Sequence, residues 1–347
     1  MLRIWLWSSV PLLLAGGAVA QAPVRVADPA PLFASDTTLQ LTLTSDFRSL
    51  LRERNRETAE YHPATLGYVG AGGTTVEIPV EVRTRGNFRL ASRTCDFPPL
   101  RIRFPKSTGE ALFAGQDRLK LVVACRRGSD SYEQYVLREY AVYRAYNAVT
   151  PVSFRVRLAR IRYVDTGARL EPFVRVAFFL ESEAGLAARH GGTIVDVQGA
   201  RKEHLDPGER DVHALFEYMV GNTDWSISGL HNIRLLQAPP LSLFAVPYDF
   251  DWAGAVDAPY AFPDPSLPIG HVRERIFRGH CLTTDELHAA IEHFLRRREA
   301  VYGAVEVEGV EERDAGRMRS YLDEFYEELE DPEKLDRKFA RSCFGDR

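Results

Sequence analysis

The chain has 347 residues, 45% of them hydrophobic, with 44 basic against 48 acidic side chains for a formal net charge of −4. That length suits two domains or one large two-part unit, and the apolar content is that of a globular core. The mild acidity excludes the basic excess that a nucleic-acid surface requires.

Residues 1–20 carry one charge, Arg3, then an apolar run through Leu12-Leu13-Leu14 and the small-residue pattern Ala18-Val19-Ala20. They read as a secretory signal peptide cut before Gln21, too short for a membrane span. No later stretch approaches a span's length, so the expected product is soluble, in the periplasm or outside the cell. Four cysteines in an exported chain predict two disulfides. Cys95 with Cys125 and Cys281 with Cys343 are the preferred local pairings, and the absence of a CxxC unit argues against a structural zinc site.

Residues 21–36, rich in Pro and Ala, read as a linker. Leu39, Leu41 and Leu43 alternate as in a strand, and Phe47 to Arg54 is a short amphipathic helix begun by Ser45. The glycines from Gly67 to Gly73 lack the Lys and helix of a phosphate-binding loop and read as a hairpin turn. Val76, Ile78, Val80 and Val82 alternate strictly, a strong strand signal, and Arg83-Thr84-Arg85-Gly86-Asn87 follows directly. Leu100, Ile102 and Phe104 mark the next strand, with Arg101 and Arg103 on its other face. Lys120 lies in a strand from Leu119 to Val123. A helix runs from Tyr132 to Val149 and carries Glu139 beside its apolar stripe. Phe154 to Tyr163 and Phe173 to Glu181 are two strands joined at Asp165-Thr166-Gly167, followed by a short strand at Thr193 to Val197.

Val212, Leu215, Phe216 and Met219 have the spacing of a helix with one buried face, ended by Gly221-Asn222. Asp224 therefore starts a loop. Ile233 to Leu236 and Leu241 to Val246 are two strands joined by Pro239-Pro240, with Asn232 at one flank and Asp249 and Asp251 at the other. Such a hairpin brings two carboxylates and an amide into one pocket, the ligand set of a magnesium-assisted phosphoryl-transfer site. Asp224 is the candidate base, and Asn232, Asp249 and Asp251 are the candidate metal ligands. Turn and cap roles are the ordinary occupation of such residues singly; the combination, framed by two tryptophans, favours a site. Residues 256–269 hold four prolines and read as an extended loop. Thr283 with Glu286 opens a helix by a capping box, and two more helices, residues 314–330 and 332–342, end the chain.

The motifs GNTDWSISGLHN and VPYDFDWAG, with RTRGNF, PLRIRF, RLKLVVA and FFLESE upstream in the same order, resemble the spore-coat protein H (CotH) group of secreted atypical kinases, and more distantly the HipA-type kinases. The similarity covers about residues 75 to 260. It implies an α+β, two-lobed atypical protein-kinase-like fold, with a β-rich nucleotide-binding small lobe over residues 37–181 and a mostly helical catalytic lobe over 182–347. It also implies ATP with magnesium or manganese as cofactors and transfer of the γ-phosphate to a protein substrate. By that resemblance Arg103 stands where the family has a phosphate-pairing Lys, with Lys120 and Lys106 as substitutes, Glu139 is the helical partner of that cation, and Glu181 marks the passage between lobes. The step from Asp224 to Asn232 is longer than in kinase catalytic loops. It predicts an outward bulge of the intervening SISGL with His231 filling the space. Two alternatives stand beside the kinase reading: a manganese-dependent glycosyltransferase using Asp249-Phe250-Asp251 as a D-x-D motif, and a non-catalytic pseudokinase or binding protein.

Overall fold

The computed structural model describes residues 26–340 apart from 71, 92–94 and 107–110. The expected leader, residues 1–20, lies outside the described residues, as does Cys343.

Seven strands form the first sheet, six on segments read as strands and one, β2, extending into the glycine-rich stretch read as a turn: β1 (Leu39–Ser45), β2 (His62–Val69), β3 (Thr75–Thr84), β4 (Leu100–Arg103), β5 (Arg118–Val123), β6 (Val156–Asp165) and β7 (Phe173–Leu180). They close into a barrel in the order β1-β2-β3-β4-β5-β7-β6. Every pairing is antiparallel except the closing one, in which β6 runs parallel to β1 from Leu39 opposite Ala159 to Ser45 opposite Asp165. Closure removes the open edges that a sheet would otherwise expose. The period-2 pattern sends Leu41, Leu43, Ile78, Val80, Val82, Leu100 and Ile102 inward, where Phe104 stacks on Phe113 at 5.1 Å. The stretch read as a linker contributes to the same core: Pro31–Phe33 forms a 3-10 turn that buries Leu32 and Phe33.

β7 is apolar along almost its whole length because both of its faces are covered. Ala177 and Phe179 fill the barrel, whereas Val176, Phe178 and Leu180 meet the helical layer outside. That layer comprises α3 (Asp130–Val149), α5 (Pro207–Val220), α6 (Thr284–Val305) and α7 (Glu312–Leu329). Short helices are α1 (Phe47–Leu50), α2 (Phe88–Ala91), α4 (Glu183–Arg189) and α8 (Pro332–Leu335), the last running into a π-helical turn at Asp336–Ala340. The expected capping box opens α6, with Thr283 and Glu286 bonded reciprocally. A second, three-stranded sheet has the order β10-β9-β8, from β8 (Thr193–Val195), β9 (Ile233–Ala238) and β10 (Ser242–Pro247).

The expected two-lobed, kinase-like fold is corrected by this architecture. The N-terminal strands close on themselves as a mixed barrel. One apolar core then runs from Val122, Tyr143 and Phe178 to Phe216, Phe250 and Phe325, crossing the boundary expected near residue 181. Strands and helices on the two sides of that boundary are therefore packed as a unit.

Cys95 is bonded to Cys125, tying the segment before β4 to the end of β5. Among the described residues no helix is long and apolar enough to cross a membrane.

Candidate active site

The loop bearing Asp224 is fixed at both ends. Helix α5 starts on Asp206, whose side chain accepts from the Glu209 N–H, and stops at Gly221, which takes φ +66°. Glycine is needed there twice over: the left-handed backbone favours it, and a Cβ would come within 2.1 Å of the Tyr321 hydroxyl. Beyond it, Asn222 Oδ1 accepts from the Asp224 N–H at 3.1 Å and Trp225 Nε1 donates to Asn222 O at 3.2 Å. Arg278 Nη1 donates to the carbonyls of Thr223 and Trp225.

The longer step from Asp224 to Asn232 is resolved by a two-bond bridge. Ser226 N donates to His231 O, and His231 N to Ser226 O, both at 3.0 Å. The residues between them form an outward loop, with Ser228 and Gly229 exposed. His231 and Asn232 thereby return to Asp224. His231 Nε2 lies 2.8 Å from Asp224 Oδ1, and Asn232 Nδ2 donates to Asp224 Oδ2 at 2.9 Å.

At the end of β10 the D-F-D triplet is anchored by its middle residue. Phe250 is fully buried, 4.8 Å from the Tyr143 ring and 5.8 Å from Phe216. The Asp249 N–H donates to Tyr143 Oη at 2.7 Å, so α3 sets the position of the first carboxylate. Asn232 (φ +51°) and Asp249 (φ +67°) both hold left-handed backbone without being glycine. Such conformations cost energy and recur at functional sites.

Arg89, in α2 just beyond the R-G-N turn, binds this end: its Nε is 3.3 Å from Asp251 Oδ2 and its Nη2 is 3.6 Å from Asp249 Oδ1. Burial works against the Arg89 charge, yet Asp251 foremost, with Tyr260, Glu139 and Asp249, holds its pKa well above the usual range. Burial pushes the Asp251 carboxyl up to about 6; Arg89 opposes the shift and Asp249 adds to it. Glu139 is 1% exposed, its Oε1 has no partner among the described residues, and burial, then Asp251, raise it well above the carboxylate range. Three carboxylates thus gather about one guanidinium.

A cavity of about 390 Å³ joins these groups to the outer face of the barrel. Asp224, Asn232, Asp249 and Asp251 supply oxygen donors, and Arg85, Arg101, Lys120 and Arg234 supply cations. Lys120 Nζ sits 4.0 Å from the Tyr248 ring centre and 4.0 Å from Glu183 Oε1. Burial, then Arg85, lowers its pKa to about 7. A hard divalent cation fits the donor set, since carboxylate and amide oxygens are its usual ligands.

Three residues singled out from the sequence lie elsewhere. Arg103 pairs with Glu81 and stacks over Tyr61 at 4.2 Å. It shares the outer face of β4 with Arg101 but stands two residues further along, and Arg101, opposite Lys120, is the one at the cavity. Glu181 is buried in a bidentate pair with Arg189, both bonds 3.0 Å, and accepts the Arg155 N–H. Lys106 is exposed. Arg89 and Tyr143 join the site without having been singled out for it; the nearest signal was the position of Arg89 two residues after Asn87.

A separate cluster, Asp211, His280 and Glu286, has ligand atoms within 4.8 Å of one another. Arg210 already pairs with both of its carboxylates, at 2.8 and 2.9 Å.

Neither protein-family models nor curated proteins give a match to the chain.

Proposed function

We propose that the chain is an exported, divalent-metal-dependent phosphotransferase that moves the γ-phosphate of ATP to a protein hydroxyl. The observation that carries this reading is the single cavity in which a cationic wall and a cluster of oxygen donors meet at Asp224. Polyphosphate needs the first and its counter-ion the second. The resemblance of the two acidic motifs to secreted atypical kinases supports the same reaction class. The chemistry is argued from the site, which does not require a kinase-like scaffold.

In this mechanism Arg85, Arg101, Lys120 and Arg234 hold the phosphate oxygens. Asp224, oriented by His231 and Asn232, accepts the proton of the acceptor hydroxyl as its oxygen bonds to the γ-phosphorus. The bond from that phosphorus to the bridging β–γ oxygen breaks, and ADP leaves with the electron pair. Asn232, Asp249 and Asp251 would hold the metal, which supplies charge neutralisation on the phosphates. Glu139 acts on Arg89 through its charge alone, favouring the guanidinium. An exported location suits the Cys95–Cys125 bond, which persists in oxidising compartments.

The test is incubation with γ-labelled ATP, manganese and a mixed protein substrate, beside thermal shifts with ATP and with UDP-sugars. The proposal expects label transfer and stabilisation by ATP, both metal-dependent, with transfer abolished in Asp224→Ala while ATP stabilisation remains. Stabilisation by UDP-sugars alone, or label transfer unchanged in Asp224→Ala, would overturn it.

A further inference from the structure

Asp224 lines two cavities. The second, about 340 Å³, shares Asp224, His231 and Trp252 with the first and continues to Phe262, Pro265, Leu267 and Arg278. We infer that this second cavity receives the acceptor as an extended Ser- or Thr-bearing polypeptide segment, with an aromatic or aliphatic side chain next to the hydroxyl seated against Trp252 and Phe262. The inference rests on the phosphotransferase reading above and extends it to substrate choice.

Charge separates the two cavities. Arg85, Arg101, Lys120 and Arg234 all belong to the first, whereas the second has Arg278 with Asp264 beside it. The phosphates therefore belong to the first, and a segment without an anion suits the second. The wall is apolar and held in place. Phe262 is 52% exposed, yet it packs 4.7 Å from Trp252, and Phe88 meets Trp252 edge-on at 5.4 Å. Its loop, residues 256–269, contains four prolines and is pinned where Tyr260 is buried and bonded to Asp251. Proline fixes φ, which lowers the entropy lost when such a wall orders against a ligand. A large exposed aromatic face beside a catalytic group marks a binding surface more than a solvated one. Arg278 Nε is buried with no hydrogen-bond partner among the described residues, while Nη1 is tied to the Asp224 loop.

The experiment uses Ser-containing octapeptides that differ only in carrying Phe or Glu beside the Ser, with the wild-type chain, Phe262→Ala and Asp224→Ala. ATP hydrolysis without peptide is followed in parallel. The expected result is a preference for the Phe peptide in the wild type. Phe262→Ala raises KM for that peptide by about tenfold, the scale of discrimination in an apolar pocket, and erases the preference, leaving kcat and ATP hydrolysis unchanged. ATP hydrolysis intact with no flanking preference, with no peptide phosphorylated at all, or with Phe262→Ala indistinguishable from wild type, overturns the inference alone. Absence of any ATP turnover, or turnover unchanged in Asp224→Ala, overturns the phosphotransferase reading and the inference with it.

Discussion

Asn232 holds Asp224 at two points, its Nδ2 donating to the Asp224 backbone carbonyl at 2.8 Å and to the side-chain Oδ2 at 2.9 Å. The amide nitrogen is committed to Asp224, so the amide oxygen is the atom left for a cation. In the proposed phosphotransferase one residue would thereby couple the position of the proton acceptor to that of the metal. Asn232→Ala is expected to lower the rate of phosphate transfer by about 100-fold, the cost of misplacing a reacting group by ~1 Å. Steady-state kinetics at saturating ATP and manganese check it, with circular dichroism confirming the fold.

Lys120 gives the site a pH signature. Burial, then Arg85, brings its pKa down to about 7, with Glu183 and Asp249 pulling the other way. Below pH 7 the free protein already carries the charge. Above it the amine is neutral, and in the proposed function bound phosphates would restore its proton. ATP binding at pH 8 should take up as much as one proton, and affinity should fall as pH rises. Calorimetric titration in two buffers of different ionisation enthalpy measures the uptake, which Lys120→Met should abolish.

Glu217, on α5 beneath the Asp224 loop, is fully buried without a well-formed hydrogen bond among the described residues. Burial pushes its carboxyl up to about 8, against the pull of Asn222 and Arg278. Because the folded state binds this proton more tightly than the unfolded state, stability is greatest below the unfolded pKa. It falls as pH rises towards 8, by at most about 1.4 kcal/mol per pH unit. Glu217→Gln should flatten that part of the profile in denaturant melts taken at pH 5 and pH 8.

Arg103 and Glu181 separate binding from architecture. Arg103→Ala should leave ATP affinity within about twofold, because a change removed from the bound ligand has little leverage on it. Glu181→Ala strands Arg189, whose side chain is 2% exposed, and breaking a buried pair costs about 3–5 kcal/mol. Nucleotide titration of the first and urea unfolding of the second check the pair.

Local structure was legible where chemistry is local. The alternation from Val76 to Val82, the Gly221 stop and the Thr283–Glu286 box each specify an element through its own residues, and each element is present. The barrel was not legible, because it closes through β1 and β6, whose pairing depends on partners remote in the chain. Leu32 and Phe33 looked like linker because their burial comes from a barrel that periodicity does not reveal. Within the candidate site, Asp224, Asn232 and Asp249 stood out by residue type and flank. Arg89 did not: α2 has four residues, too few for a helical period, and its link to Asp251 is tertiary. Arg101 and Arg103 were equivalent by alternation, and the pairing of Arg101 with Lys120 distinguishes them.

In the proposed reaction Asp224, Asn232 and Asp249 serve one cation-bound polyphosphate. Manganese binding followed by electron paramagnetic resonance, with and without ATP, tests it most directly in the wild type, Asn232→Ala and Asp249→Asn. The account predicts one manganese bound tightly with ATP, with affinity reduced at least about tenfold in each variant, the usual effect of disturbing a ligand shell. Equal manganese affinity in all three proteins would contradict it.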